Sequence, residues 1–241
     1  MEKGNKLKIE IWSDVMCPFC YIGKRRIENA LDQFPNKEQV EIEWKSFQLD
    51  PSTKSQPGKS TYDYLAERYG RDRQWSVEMH NNIAQQAKAD GLEYNFDKAV
   101  IANSFDAHRL SHLAKKHGVG NALEELIFKA YFTEGKDVAD QQTLIELGVA
   151  VGLDASEITA MLQSDLFADA VQGDIAEAQQ LGVRGVPFFV MDRKYAVSGA
   201  QPLEVFTETL QKSWDNWEGK SQFQTVESAA GAVCTPDGNC N

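Results

Sequence analysis

Cysteine is scarce in this chain, with four residues in 241. That is too few for the densely cross-linked scaffold of a small secreted protein. The four fall into two pairs at opposite ends, Cys17 with Cys20 and Cys234 with Cys240. In a reducing compartment such pairs serve catalysis or metal binding more often than structure. No apolar run is long enough for a transmembrane helix. Residues 1–6 lead into a strand-like alternation without the apolar core or cleavage site of a signal peptide. The expectation is a cytoplasmic protein with no membrane partner. Positive charge is in deficit, 25 Lys and Arg against 36 Asp and Glu, for a net charge of −11. Long-range repulsion therefore works against nucleic acid as a partner. There is no internal repeat.

Proline is missing from residues 61–182, although the chain has seven. That middle segment carries helical periodicity almost without a break. Leu123, Leu126, Ile127, Ala130 and Tyr131 recur on one helix face, as do Leu144, Leu147, Gly148 and Val151. Asp154 and Glu157 stand as an Asp version of a capping box. Six or seven helices are expected here.

The flanks differ in character. Leu7, Ile9 and Ile11 alternate with Lys8, Glu10 and Trp12 as in a strand, and residues 21–34 follow with one apolar helix face. Val40, Ile42 and Trp44 mark a second strand. After the helices, residues 186–191 form a short apolar run, Asp192 and Arg193 a tight turn, and residues 195–197 a partner strand. Leu203, Phe206, Leu210 and Trp214 place a last helix against the sheet. The fold class is α/β: strand-helix-strand, a large all-helical insertion, then strand-strand-helix. The division is residues 1–59 and 183–217 as two parts of one domain, 60–182 as the insertion, and 218–241 as a polar, flexible tail.

Cys17 stands where the first strand gives way to the first helix. A thiolate is the nucleophile in disulfide exchange, and free N–H groups and the dipole at a helix N-terminus stabilise it. Cys20 lies about one turn on, placed to attack a mixed disulfide held by Cys17. Cys17 is thus the attacking sulfur and Cys20 the resolving one. Pro18 suits the first helical turn, because it has no N–H to satisfy. Phe19 is read as a substrate contact or a modulator of the redox potential. Pro187 opens the late strand, where proline is tolerated. On base rates alone it is an ordinary trans proline. In a cis geometry it would present the Val186 backbone to the sulfurs, where an extended substrate can pair as an added strand.

Cys17-Pro18-Phe19-Cys20 after an N-terminal strand, the helical insertion, Gly185-Val186-Pro187-Phe188 and Ser198-Gly199-Ala200-Gln201 together resemble a DsbA-like protein. More narrowly, the chain resembles the cytoplasmic FrnE type, in the group that also holds 2-hydroxychromene-2-carboxylate isomerases. The resemblance spans about residues 7–217. It implies a thioredoxin fold interrupted by helices, dithiol-disulfide exchange at Cys17 and Cys20, and a cis peptide before Pro187. Pro18, Phe19, Val186 and Pro187 are then the candidate substrate-binding residues. The expected partners are protein thiols and disulfides, with glutathione or a thioredoxin-type reductant, and no cofactor or metal is called for. The isomerase branch carries serine where this chain has Cys17. That departure argues against a glutathione-dependent isomerase of a small aromatic substrate, which is the alternative enzyme reading.

Cys234 and Cys240 are separated by a turn-rich spacer and can close a disulfide without secondary structure. They are candidates for exchange with Cys17 and Cys20, or are exposed thiols without a role. A further alternative is a zinc-binding module using both pairs, although the Pro-Phe spacer fits redox chemistry better. His108 and His112 have i, i+4 spacing and are read as a partly exposed helix face rather than metal ligands. Asp14 and Glu43 are candidates to influence the thiols if they lie beneath them.

Overall fold

The computed structural model describes residues 6–218. Strand β1 (Leu7–Ser13) turns into helix α1 (Pro18–Asp32), and a 3-10 turn (Lys37–Gln39) precedes β2 (Val40–Ser46). Seven helices follow: α2 (Thr61–Tyr69), α3 (Arg73–Ala89), α4 (Phe105–Lys116), α5 (Gly120–Lys129), α6 (Gln141–Ala150), α7 (Ala155–Leu162) and α8 (Ala168–Gln180). A π-helical turn (Ala130–Glu134) extends α5. The hairpin β3 (Phe188–Met191) and β4 (Tyr195–Ser198) leads to α9 (Leu203–Glu218).

The strands form one sheet in the order β2-β1-β3-β4. β1 and β2 are parallel, as two strands joined through a crossover helix must be. β3 is antiparallel to both β1 and β4. Asp192 and Arg193 take φ of 51° and 52° in the hairpin turn. Leu7, Ile9 and Ile11 are fully buried on one face. Period-two alternation alone would leave the opposite face of β1 to solvent. Instead Trp12 is fully buried there and Glu10 nearly so, because α8 covers that face. The Trp12 indole donates to the Asp174 carbonyl at 2.9 Å, Ala178, Val183 and Val190 pack around it, and Arg193 closes over Glu10. Burial on both faces identifies β1 as a central strand.

On the other side, Phe206 of α9 meets Phe189 at 4.7 Å and Trp214 meets Phe34 beyond the end of α1 at 5.5 Å between ring centroids. Leu203 is only half-buried. The helices between β2 and β3 share a core with the strands, running from Ile9 and Ile27 through Trp44 and Phe128 to Leu110 and Leu144. Asp154 caps α7 through the Ser156 and Glu157 N–H groups. The Glu157 carboxylate pairs with Lys116 and His117.

Candidate active site

The chain leaves β1 at Ser13 and must turn sharply to enter α1. Asp14 builds that turn. Its carbonyl accepts the Cys17 N–H at 2.9 Å, while its carboxylate accepts the Met16 N–H at 3.2 Å and the Leu49 N–H at 2.7 Å. Cys17 is thereby the N-cap residue of α1, with extended backbone (φ −91°, ψ 113°), Pro18 beginning the helix and no side-chain capping bond. The start of a helix is where free N–H groups and the dipole stabilise negative charge. The thiol donates to the Val186 carbonyl at 3.4 Å.

Cys20 stands one turn further, 1% exposed against 4% for Cys17, and both are free thiols. Burial pushes the Cys20 thiol well above its ordinary pKa, and the neighbouring Cys17 adds to that. The Ser13 hydroxyl and the Asp14 backbone pull the other way. Val186–Pro187 is a cis peptide, and the Pro187 carbonyl accepts the Gly199 N–H at 2.8 Å.

Two residues passed over in the sequence support this geometry. A Cβ on Gly23 would lie 3.0 Å from both Phe189 Cζ and Pro187 Cγ, so α1 rests directly on the proline strand. A glycine inside an amphipathic helix is the available signal, since it costs about 1 kcal/mol relative to alanine without a packing reason. Tyr94 donates from its hydroxyl to the Pro18 carbonyl at 2.6 Å. Burial and the nearby sulfurs hold that phenol well above its usual range, so it remains a donor.

Cys17, Pro18, Phe19 and Val186 border a cleft of about 400 Å³ whose far wall comes from α2, α3 and the π-helical turn. Tyr131 and Phe132 of that turn line it. Gly135 closes the turn at φ 71°, where a Cβ would strike Lys98. The lining is mainly apolar and nearly neutral: Arg68 is paired with Asp50, and burial lowers the pKa of His80, favouring a neutral imidazole.

His108 is buried under neighbouring elements, against the partly exposed face its spacing led us to expect, whereas His112 keeps partial exposure, and the two turn to different acids. His108 Nε2 is 3.6 Å from Asp14 Oδ1, and His112 Nε2 is 3.1 Å from Asp174 Oδ2. Among the described residues no group of three or more His, Cys, Asp or Glu side chains is arranged to hold a metal. Glu43 lies with Lys8, Lys45 and Lys115 rather than beneath the sulfurs. Cys234 and Cys240 lie outside the described residues. Among the described residues no helix is long and apolar enough to cross a membrane.

Two thiols stand one helical turn apart, at the start of a helix that rests on a proline-led strand. The chain belongs to the DSBA-like thioredoxin domain family, whose model matches residues 8–211. It is therefore a member of a family of thiol-disulfide oxidoreductases. It is similar to a probable DsbA oxidoreductase from Streptomyces coelicolor, at 40% identity over 98% of each chain and a TM-score of 0.82. It is also similar to YwbO of Bacillus subtilis, an uncharacterised protein, at 27% identity over 84% of this chain and 94% of that one. The cytosolic disulfide reductase DsbM of Pseudomonas aeruginosa, solved with glutathione, shares the fold at 17% identity and a TM-score of 0.62, over 87% of this chain and 100% of that one.

Proposed function

We propose that this protein exchanges disulfides with protein substrates, as an oxidoreductase or disulfide isomerase, with Cys17 attacking and Cys20 resolving. The observation that carries the reading is the placement of Cys17 at the α1 N-cap, bordering the cleft and 3.4 Å from the Val186 carbonyl, with Cys20 buried behind it. The Cys17 thiolate attacks a substrate disulfide, forming a mixed disulfide and releasing one substrate thiolate. Cys20, deprotonated, then attacks Cys17 and releases the second. The substrate gains two electrons, the cysteine pair becomes a disulfide, and the reverse sequence oxidises a dithiol.

Val186 and Pro187 offer backbone to an extended substrate, Pro18 and Phe19 form the near rim, and residues 60–182 wall the cleft. A mainly apolar, nearly neutral cleft fits the side chains of an unfolded segment better than charged ones. Glutathione or a thioredoxin-type protein returns the pair to its starting state, and the glutathione held by the similarly folded DsbM supports the first choice. The tail pair Cys234 and Cys240 exchanges with Cys17 and Cys20. The setting is cytoplasmic, in line with the FrnE type and with the cytosolic DsbM. Reduction of a disulfide-bonded protein tests the reading. Cys17→Ser should fall to background, and a Cys17→Ser protein with full activity would contradict it.

A further inference from the structure

Among the described residues, three buried side-chain polar atoms have no hydrogen-bond partner: Ser13 Oγ, His108 Nε2 and Glu124 Oε2. They come from β1, α4 and α5, and each residue is 3% exposed. All three line one small cavity between the sheet and the helices, completed by Trp44, Ser46 and Ser111. It has room for about one water, and polar groups on several sides are what a buried water requires. An orphaned buried polar atom is costly to folding, so three lining one cavity mark a site rather than an accident of packing.

The cavity touches the chemistry through Ser13. Its hydroxyl faces Cys20 and favours the thiolate, although it forms no well-aligned bond in the reduced state. Cys20 must lose a proton to resolve the mixed disulfide, yet burial holds that proton on the sulfur. We propose that this cavity holds a water joining Ser13, His108 and Glu124, and that Glu124 takes up the Cys20 proton through Ser13 and that water. The inference rests on the reading of Cys20 as the resolving thiol.

The step balances as follows. The Cys20 S–H proton passes to the Ser13 oxygen as the Ser13 proton passes to the water, and the water gives one of its own to the Glu124 carboxylate. The Cys20 sulfur bonds to Cys17, the bond from Cys17 to the substrate breaks, and the substrate leaves as a thiolate. Ser13 is the catalytic residue in this step, since it meets the reacting sulfur. Glu124 and His108 act through it, as proton acceptor and water-positioning residue.

The surroundings of Glu124 suit that role. Burial raises its pKa, against the Ser111 hydroxyl at 2.6 Å and the charges of His108, Lys24 and His112. Lys45 of β2 also borders the cavity and is itself held by Asp174 of α8. A carboxyl raised in this way is closer to a thiol in proton affinity than an exposed one.

The test uses the full-length chain carrying Cys234→Ser and Cys240→Ser, reduced and mixed with one equivalent of an aromatic disulfide whose thiolate is coloured. The first burst reports attack by Cys17 and the second reports resolution by Cys20. In Glu124→Gln we expect the first burst within about twofold of the parent. The second should be slowed about tenfold or more at pH 7 and become steeply pH-dependent as hydroxide replaces the relay. Ser13→Ala should change the second burst in the same direction, and it decides the matter if Glu124→Gln does not fold. Resolution at the parent rate and pH profile, or slowed by one factor at every pH, would overturn the inference. Loss of the first burst from the parent protein would instead count against Cys17 as the attacking thiol.

Discussion

A thiol reacts when a partner can reach it, and the two thiols of this site, three residues apart, differ in access to the cleft. Cys17 borders the cleft at the start of α1. Cys20 is enclosed, its thiol pushed well up by burial and by Cys17. At pH 7 an alkylating reagent added to the native, reduced protein should label Cys17 and spare Cys20, with peptide mapping to separate them from the tail thiols. Equal labelling of both would contradict the assigned order. The placement of Cys17 and Cys20 between β1 and α1 was legible in the sequence, because strand alternation precedes them and helical periodicity follows. Tyr94 was not, because its bond to the Pro18 carbonyl spans 76 positions of sequence and no local pattern marks it.

At the scale of elements, strands and helices were read from period and punctuation, and seven helices lie where six or seven were expected. What the pattern did not reveal is which faces are covered. Trp12 is buried because α8, 162 residues later, lies across it, and Glu10 because Arg193 closes over it. His108 is buried because α4 is enclosed against β2, α7 and α8. The fit of α1 onto the proline strand depends on Gly23. Gly23→Ala should destabilise the protein by about 1–3 kcal/mol, because its Cβ meets two fixed rings. Gly173→Ala in α8, whose Cβ would meet nothing within 4 Å, should stabilise by about 0.5–1 kcal/mol. Thermal unfolding of both variants checks the pair. Stabilisation by Gly23→Ala would mean that the close approach of Gly23 is not as described.

At the scale of the whole molecule, the shared core ties the active-site helix to the helices that wall the cleft. Glu125 of α5 receives Tyr21, Lys24 and Arg25 of α1 at 2.6, 2.6 and 2.8 Å. A second tie joins the sheet to α4 through Glu43. Burial alone would raise the Glu43 carboxyl, but Lys115, Lys8 and Lys45 outweigh it and hold it down to about 2. A carboxyl lowered on folding contributes stability above its unfolded pKa near 4.5, and that contribution fades as pH falls toward about 2. Glu43→Gln should therefore cost about 1–2 kcal/mol at pH 7, allowing for solvent screening of its lysines, with the gap narrowing below pH 4.5. Urea unfolding across that range measures it, and a gap that widens in acid would refute the assignment.

The most direct test of the account is the site of the trapped intermediate. Cys20→Ser, incubated with a disulfide-bonded peptide and mapped by mass spectrometry without reductant, should carry the peptide on Cys17, whereas the parent protein should release it and hold a Cys17–Cys20 disulfide. A peptide found on another cysteine, or none on Cys17 while exchange continues, would contradict the assignment of Cys17 as the attacking sulfur.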